Sequence, residues 1–306
     1  DEAKLLFEEA LRVRREVLSD RHPSTLISIN NMASLLQDQG ELDEAKLLFE
    51  EALRVRREVL GDRHPDTLIS INNMGKLLQE QGELDQAKLL FKEDLRVSRE
   101  VLGSRHPETL TSISNMGKLL QEQGELDEAK LLFEEALRVS REVLGDRHKD
   151  TLAYINNMGK LLQEQGELDE AKLLFEEALR VSRELLGDRN EDTLSSMGDM
   201  ANLLQEQGEL DQARSLFEEA LRGRREVLGD RDEDTLTAIN NLASLIEEQG
   251  KLAEAIPLFT EELEGYVALH GMDHEETRDA AEHLAEVLGE AGQQKKAKAL
   301  AKKYGL

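Results

Sequence analysis

The sequence has no cysteine and no tryptophan, and only 4 prolines, 7 phenylalanines and 3 tyrosines among its 306 residues. The lack of cysteine excludes disulfides, thiolate metal ligands and cysteine nucleophiles. Because no apolar run is long enough to cross a bilayer or to form the core of a signal peptide, we expect a soluble, cytoplasmic protein. The scarcity of aromatic residues favours long helices over a β-sandwich.

Basic residues are also scarce, since 39 Lys and Arg stand against 65 Asp and Glu and give a net charge of −26. A surface this acidic repels phosphate groups, so we expect neither a nucleic acid nor a membrane as a partner. The sequence has no glycine-rich phosphate loop, no HExxH motif and no nucleophile elbow. It therefore predicts no enzyme, no cofactor and no metal site. Acid pairs such as Glu50-Glu51 indicate a solvated outer face.

A unit of 42 residues recurs along the whole chain. Segment 43–84 differs from segment 127–168 at only four positions. Units start at residues 1, 43, 85, 127, 169, 211 and 253, and residues 42 apart are called a column below. One column holds all seven phenylalanines: Phe7, Phe49, Phe91, Phe133, Phe175, Phe217 and Phe259. We predict seven repeats over residues 1–294, the first beginning at its second helix and the last degenerate, then a capping helix over 295–306.

Each repeat contains two helical patterns, named helix A and helix B. Helix A has apolar residues at the i, i+3, i+4, i+7 spacing of a buried face, begins near Pro23 and ends at Gly40. Its buried face is formed by Leu26, Ile29, Met32, Ala33 and Leu36. Helix B begins at Asp43, a good N-cap residue, and ends at Gly61. A single hairpin cannot bury its apolar face alone, so we predict an all-α solenoid of stacked hairpins.

The residues of the two helices resemble the tetratricopeptide repeat (TPR) signature. The matching pattern is Ile29-x2-Met32-Ala33-x2-Leu36, followed by Gly40, Ala45, Phe49 and Ala52. The 42-residue period and the phrases Ile71-Asn72-Asn73-Met74 and His64-Pro65-Asp66 are similar to the repeats of kinesin light chains. The resemblance implies a right-handed superhelix whose A helices line a concave, partner-binding surface. A small residue, such as Ala33 or Gly75, would let the two helices approach closely.

A polar stripe on helix A is the candidate binding site. At about 100° per residue, Ile27, Asn30 and Asn31 lie opposite the apolar face. The candidate residues are Asn30, Asn31, Asn72, Asn73, Asn115, Asn156, Asn157, Asn240, Asn241, Lys76, Lys118 and Lys160. An asparagine can donate to and accept from a peptide backbone, and the lysines would attract acidic residues. The resemblance implies backbone contacts for the column of Asn31. We predict a groove for an extended peptide of acidic or mixed charge.

Differences between the repeats also gather on this stripe. The column of Ile27 continues as Ile69, Thr111, Ala153, Ser195 and Thr237, and the neighbouring column includes Tyr154. Such variation favours a binding groove, and a surface patch that drifts without selection would show it as well.

Two structural alternatives stay open. Lys76 can pair with Glu80 four residues on, and asparagines can hydrogen-bond between adjacent A helices and hold the stack. The alternative function is a spacer that self-associates end to end through the first helix B, Asp1–Leu18. The apolar residues expected to be exposed on that helix are Leu5, Leu6, Phe7 and Val13.

A histidine column lies between helix B and the next helix A. Its members are His22, His64, His106 and His148, and repeats 5 and 6 place Asn190 and Asp232 there. Neighbouring acids such as Asp66 would suit a metal, but one imidazole per repeat is a poor site. We therefore predict that this column caps helices.

Overall fold

The computed structural model describes residues 2–306, apart from the side chain of Glu2, and contains fifteen α-helices and no strand in that range. The helices are α1 Glu2–Leu18, α2 Pro23–Asp38, α3 Leu42–Leu60, α4 Pro65–Glu80, α5 Leu84–Val101, α6 Pro107–Glu122, α7 Leu126–Val143, α8 Lys149–Glu164, α9 Leu168–Leu186, α10 Glu191–Glu206, α11 Leu210–Val227, α12 Glu233–Glu248, α13 Leu252–His270, α14 Glu275–Glu290 and α15 Gln294–Tyr304. Asp1, where we place the start of the first repeat, lies outside the described residues. Within them, every helix is too short or too polar to cross a membrane.

The helices alternate as the repeat predicts. Even-numbered helices α2 to α14 are the A helices, and odd-numbered helices α1 to α13 are the B helices. This alternation confirms the all-α solenoid. The predicted start of helix B was wrong by one residue: α3 begins at Leu42, its N-cap is Glu41, and Glu41 makes no side-chain capping bond. Asp43 instead lies in the first turn, where its negative charge favours the helix dipole.

The chain forms two compact units, residues 1–157 and 158–306, divided within α8. In the first unit, consecutive helices pack around the phenylalanine column, and Phe49, Phe91 and Phe133 are fully buried. In the second unit, Phe175, Phe217 and Phe259 form the same core. There α15 packs against α14 and buries Tyr304.

Glycine in helix A allows the phenylalanine of the following helix B to pack closely. A Cβ atom added to Gly75 would lie 2.6 Å from Cε1 of Phe91, and one added to Gly117 would lie 2.6 Å from Cε1 of Phe133. Real Cβ atoms do not approach a ring this closely, so the side chain or helix would have to shift. The structure thus confirms that a small residue permits close helix contact, and it identifies the phenylalanine as the contact.

Ion pairs connect consecutive B helices. Arg57 Nη2 lies 2.7 Å from Glu93 Oε2, and Arg15 Nη2 lies 2.6 Å from Glu51 Oε2. The expectation that Glu50-Glu51 is only a solvated face was therefore wrong for Glu51. Pairs this exposed contribute little singly, about 0–1 kcal/mol. Their recurrence along the chain fixes the register between neighbouring B helices.

Candidate functional site

The exposed side of α2, α4 and α6, here called the A-helix surface, carries part of the predicted site in the first unit. Ile27 is 50% exposed and Ile69 39% exposed, although both are large apolar residues. Asn31 is exposed and Asn73 is half-buried, and neither side chain hydrogen-bonds another described residue. This surface therefore combines apolar contact area with amides that have open hydrogen-bonding capacity.

Other members of the asparagine columns bond between hairpins. Asn115 Nδ2 on α6 donates to Asn72 Oδ1 on α4 over 2.9 Å, and Asn157 Nδ2 on α8 donates to Ser114 Oγ on α6 over 3.0 Å. The structural alternative for the asparagines is thus correct at these positions. Asn115 and Asn157 each keep a second N–H and an amide oxygen for a ligand.

Asn30 does not lie where the helical projection predicted. It is buried, and its amide oxygen accepts from Arg56 Nη1 at 2.8 Å and Nη2 at 3.3 Å. Tyr154, expected to line the groove, is buried as well. A projection of one isolated helix misplaces both, because it leaves out the helices packed beside it, such as α3, whose Arg56 reaches Asn30. Asn30 is therefore a partner of the protein's own arginine rather than a surface contact.

Lysines of the predicted site have separate environments. Lys76 is exposed and forms no ion pair with any described residue, while Glu80, its expected partner, accepts from Gln37 Nε2 at 2.5 Å. The expected Lys76–Glu80 pair was therefore wrong. Lys118 is exposed. In the second unit, Lys160 Nζ lies 3.0 Å from Asp199 Oδ1, which compensates its charge.

The second unit places the remaining asparagines near an acid. Asn240 Nδ2 donates to Glu262 Oε1 over 2.9 Å, and Asn241 is half-buried beside it. Burial of the Glu262 carboxyl raises its pKa to about 7, and the bond from Asn240 opposes that rise. Asn156, at the end of the first unit, is half-buried.

A cleft of about 120 Å³ opens on the A-helix surface beside three predicted residues. Its lining includes Asn72, Asn73 and Lys76 from the predicted site, and Asp94, Ser98 and Ser112, which the sequence reasoning missed. Asp94 is 2% exposed, and its Oδ2 atom has no hydrogen-bond partner among the described residues. Burial raises the pKa of this carboxyl to about 6. The sequence did contain a signal for Asp94, because the other residues of its column include Ala52, Ala136, Ala178 and Ala220.

The histidine column caps helices, as predicted. The Nδ1 atom of His64 accepts from the backbone N–H of Asp66 at 3.1 Å, and the other members do the same. In repeats 5 and 6, side-chain oxygens of Asn190 and Asp232 make the corresponding bond at 3.0 Å. The capping interpretation is confirmed.

The last repeat differs at its helix B to helix A loop. His270 stands where the other repeats have leucine, and His274 makes no capping bond. The His270 Nε2 and His274 Nδ1 atoms lie 3.2 Å and 3.5 Å from Glu276 Oε2, and the three ligand atoms lie within 4.8 Å of one another. Imidazole and carboxylate are ligands of divalent metals such as Zn²⁺. These residues could hold a metal; they also form ion pairs when the histidines are protonated.

The first helix exposes residues that later B helices bury. Val13 is 41% exposed, whereas Val55 in the same column is 4% exposed. Leu6 is exposed as well, and Phe7 is half-buried, so less of its ring is exposed than expected. Leu5 is exposed too, but so are Leu47 and Leu89 in the same column of later B helices. Val13 and Leu6 are therefore the residues of the predicted face that α1 exposes more than later B helices do.

The B helices carry a second apolar feature that the sequence reasoning missed. Leu47, Leu89, Leu131 and Leu173 form an exposed leucine column. Between α3 and α5 a cleft of about 520 Å³ has Leu53, Met74 and Leu89 in its lining. The signal was visible as a leucine repeated on the polar side of helix B.

Comparison with solved structures supports the same fold. The chain is similar to the nearly identical TPR-like repeats of a Podosopora anserina protein assigned as a kinesin light chain, with 25% identity, a TM-score of 0.57, and coverage of 67% of this chain and 97% of that one. It is similar to BtubC (BKLC) from P. vanneervenii at 21% identity and a TM-score of 0.60, covering 73% and 88% of the chains. The apo quorum sensor NprR from B. thuringiensis has 15% identity, a TM-score of 0.68, and coverage of 98% and 81%.

Family models match nearly the whole sequence. A tetratricopeptide repeat model matches residues 1–58, 25–98, 90–142, 114–184, 150–226 and 234–304, and a second tetratricopeptide repeat model matches residues 199–266. No curated protein matches the chain. The 42-residue helix pairs described above explain the repeated, overlapping matches, and the chain belongs to the tetratricopeptide repeat family.

Proposed function

We propose that the chain is a non-catalytic scaffold that binds an extended peptide or partner segment along the A-helix surface. Tetratricopeptide repeats are in general protein-interaction modules, and repeat proteins bind partners on surfaces built by successive repeats. The observation that carries the proposal is the exposure of Ile27 and Ile69 beside Asn31 and Asn73, whose amides have no internal partner. Exposed apolar area that is rimmed by polar groups is typical of a surface that binds another protein segment.

Each part of the surface has a chemical task. Asn31 and Asn73 would hold the backbone of the segment, because an amide side chain matches the donor and acceptor of a peptide unit. In the first unit, Asn115 and Asn157 would extend this row with the capacity that their internal bonds leave. In the second unit, Asn241 would offer the same amide chemistry. Lys76 supplies an uncompensated positive charge, so the segment would carry acidic or mixed charge. A net charge of −26 disfavours nucleic acid and anionic membranes, and we place the protein in the cytoplasm.

Selection from a displayed library of random extended peptides tests this function. The full chain should enrich a shared motif, and the Asn31→Ala/Asn73→Ala/Lys76→Ala variant should lose it. The matched control is Arg54→Ala/Arg96→Ala, which removes two exposed residues from helices α3 and α5. Failure to enrich any motif, or enrichment that survives the triple substitution, would reject the A-helix surface as the binding site.

Exposure of α1 favours a second candidate function, end-to-end self-association. Burying the exposed fraction of Leu6, Val13 and their neighbours against another copy would stabilise a dimer or fibre. Sedimentation at increasing protein concentration tests it. The mass should rise for the native chain and stay monomeric for Leu6→Glu/Val13→Glu, whereas a constant native mass rejects this candidate.

A further inference from the structure

One repeat shows how this fold satisfies a buried guanidinium. Arg56 on α3 is buried between the A helices of two consecutive hairpins. Its Nη1 atom donates to the backbone oxygen of Asp66 at 2.8 Å and to Ser70 Oγ at 2.8 Å. On the other side, the amide oxygen of Asn30 accepts from the same Nη1 at 2.8 Å. Three acceptors from two A helices therefore surround the charged group.

The next repeat keeps the acceptors but lacks the arginine. Ser98 stands in the column of Arg56, while Glu108, Ser112 and Asn72 stand in the columns of its three partners. All four residues line the cleft of about 120 Å³ described above. A cavity needs only about 10–15 Å³ to hold one water, so the cleft has room for a group larger than a single water. Because Ser98 and the three acceptor columns line it, the cleft lies where an arginine side chain at position 98 would extend.

A second substitution makes this space anionic. Asp94 replaces the alanine that Ala52 represents in the preceding repeat. Its Oδ1 accepts a long bond from Ser98 Oγ at 3.4 Å, and its Oδ2 has no partner. Among the described residues no cation lies within ion-pair distance of Asp94. Leaving a buried carboxylate unpaired costs several kcal/mol, so a cation entering the cleft would be strongly favoured.

Other repeats lack this combination. In repeat 4, Ser140 Oγ is bonded to Thr151 Oγ1 at 2.7 Å, and the buried Tyr154 occupies the column of Ser112. In the last repeat, Glu262 stands in the column of Asp94 but accepts from Asn240 at 2.9 Å. Serine in the arginine column recurs at Ser140 and Ser182, so the buried acid with an unpartnered oxygen is what distinguishes the third repeat.

The cleft opens beside the surface assigned to the partner segment, with Ile69, Asn73 and Lys76 in its lining. We propose that it binds the side chain of an arginine in that segment, with Asp94 pairing the guanidinium and Asn72 and Ser112 accepting further hydrogen bonds. This inference rests on the proposed function in one respect only, which is that the arginine belongs to an extended partner segment. Arginine fits better than lysine, because its planar group directs five N–H donors to separated acceptors. Asn72 already accepts from Asn115 but retains a second lone pair.

Binding of N-acetyl-arginine methylamide to the full chain tests the cleft directly. Calorimetry or amide chemical shifts should detect saturable binding, weaker by about tenfold or more for the lysine and citrulline analogues. Asp94→Ala and Ser98→Arg should each lower affinity by at least about tenfold, the first by removing the acid and the second by filling the cleft. Ser182→Arg, at the same column of repeat 5, where Ser196 stands in the column of Ser70, is the matched control and should leave affinity unchanged.

Folding does not obscure these results. Asp94→Ala restores the alanine of the other repeats, and Ser98→Arg restores the arginine seen at position 56. Absence of saturable binding, equal binding of the lysine analogue, or unchanged binding by Asp94→Ala would each overturn the proposal.

The display selection separates this inference from the proposed function. Arginine-containing motifs that lose enrichment with Asp94→Ala would support both. Saturable binding of the arginine probe without any enriched peptide would support the cleft and reject the peptide surface. Motifs that lack arginine and survive Asp94→Ala would support the surface and overturn the cleft.

Discussion

Asn115 donates its side-chain N–H to the amide oxygen of Asn72 over 2.9 Å and so joins α6 to α4 across neighbouring hairpins. We expect Asn115→Ala to lower the free energy of unfolding by about 0.5–1.5 kcal/mol, because it removes one hydrogen bond from a half-buried site. Urea unfolding monitored by circular dichroism measures the change.

Asn73 provides the matched comparison, since it occupies the same column without an internal bond. Asn73→Ala should leave the urea midpoint nearly unchanged. If both alanine variants lost equal stability, the Asn115–Asn72 bond would not be what distinguishes the two positions.

These two residues show how far the sequence predicts the asparagine columns. The 42-residue period and the apolar spacing of helix A correctly predict the hairpins, because both are local properties of the chain. Whether the Asn115 side chain faces a ligand or Asn72 depends on the distance between hairpins, and the 42-residue period does not predict that distance. Asn30 was misplaced because the guanidinium that reaches it comes from Arg56 on α3, a contact that the pattern of α2 alone does not show.

The capping bond of His64 leads to a second prediction. Its Nδ1 accepts from the backbone N–H of Asp66 at 3.1 Å, and that N–H has no partner within the helix. We expect His64→Ala to destabilise the chain by about 1 kcal/mol, the usual effect of losing an N-cap. Thermal and urea unfolding provide the measurement.

His64→Asn is its control, because Asn190 makes the corresponding bond in repeat 5 at 3.0 Å. This variant should keep the stability of the native chain. A loss as large as that of His64→Ala would mean that imidazole packing, rather than capping, stabilises the loop.

Ser19 has a backbone φ of 83°, the only positive φ at a non-glycine residue in the described range. Its column holds glycine in every later repeat, for example Gly61 with a φ of 84°. A side chain in this conformation is strained, so Ser19→Gly should raise the free energy of unfolding by roughly 0.5–1 kcal/mol. The reverse change, Gly61→Ser, should lower the urea midpoint. Equal midpoints for all three proteins would show that the loop relaxes around the side chain.

The substitution at Asp94 is visible in the sequence, but helical periodicity does not show that it lines a cleft. Periodicity finds what repeats share, whereas this site depends on Asp94, which stands where neighbouring repeats have alanine, beside Ser98 of a column that also holds Ser140 and Ser182. Only the structure shows that Asp94 and Ser98 line the same cleft. The cavity volume, the orphaned oxygen and the nearby Asn72 depend on contacts between three helices.

The titration of Asp94 gives the fourth prediction. Burial is the main cause that raises the pKa of its carboxyl from 3.8 to about 6, nearby Glu108 and Glu93 add to the rise, and hydrogen bonds from Ser112 and Ser98 oppose it. The folded chain therefore binds this proton more tightly than the unfolded chain. Its contribution to stability is present below pH 3.8 and is lost as the pH rises to about 6.

Asp94→Ala removes this titration, so the variant should be more stable than the native chain above pH 6 by roughly 1–3 kcal/mol. The difference should shrink as the pH falls and nearly disappear below about pH 4. Urea unfolding at several pH values measures it; guanidinium chloride is unsuitable because its cation would enter the cleft.

Subtracting the two pH profiles removes the many other carboxylates, which both proteins share. Lys76 lies in the cleft lining, and its positive charge would stabilise the Asp94 carboxylate if the side chain turned toward it. Adding Lys76→Met to both the native chain and Asp94→Ala removes this contribution. If stability varied with pH in the same way with Asp94 and with Asp94→Ala, the carboxylate would be solvated rather than buried without a partner. Two results together would show that one buried charge governs both stability and ligand binding. The difference in free energy of unfolding between the two proteins should narrow toward low pH, and saturating N-acetyl-arginine methylamide should reduce it at neutral pH.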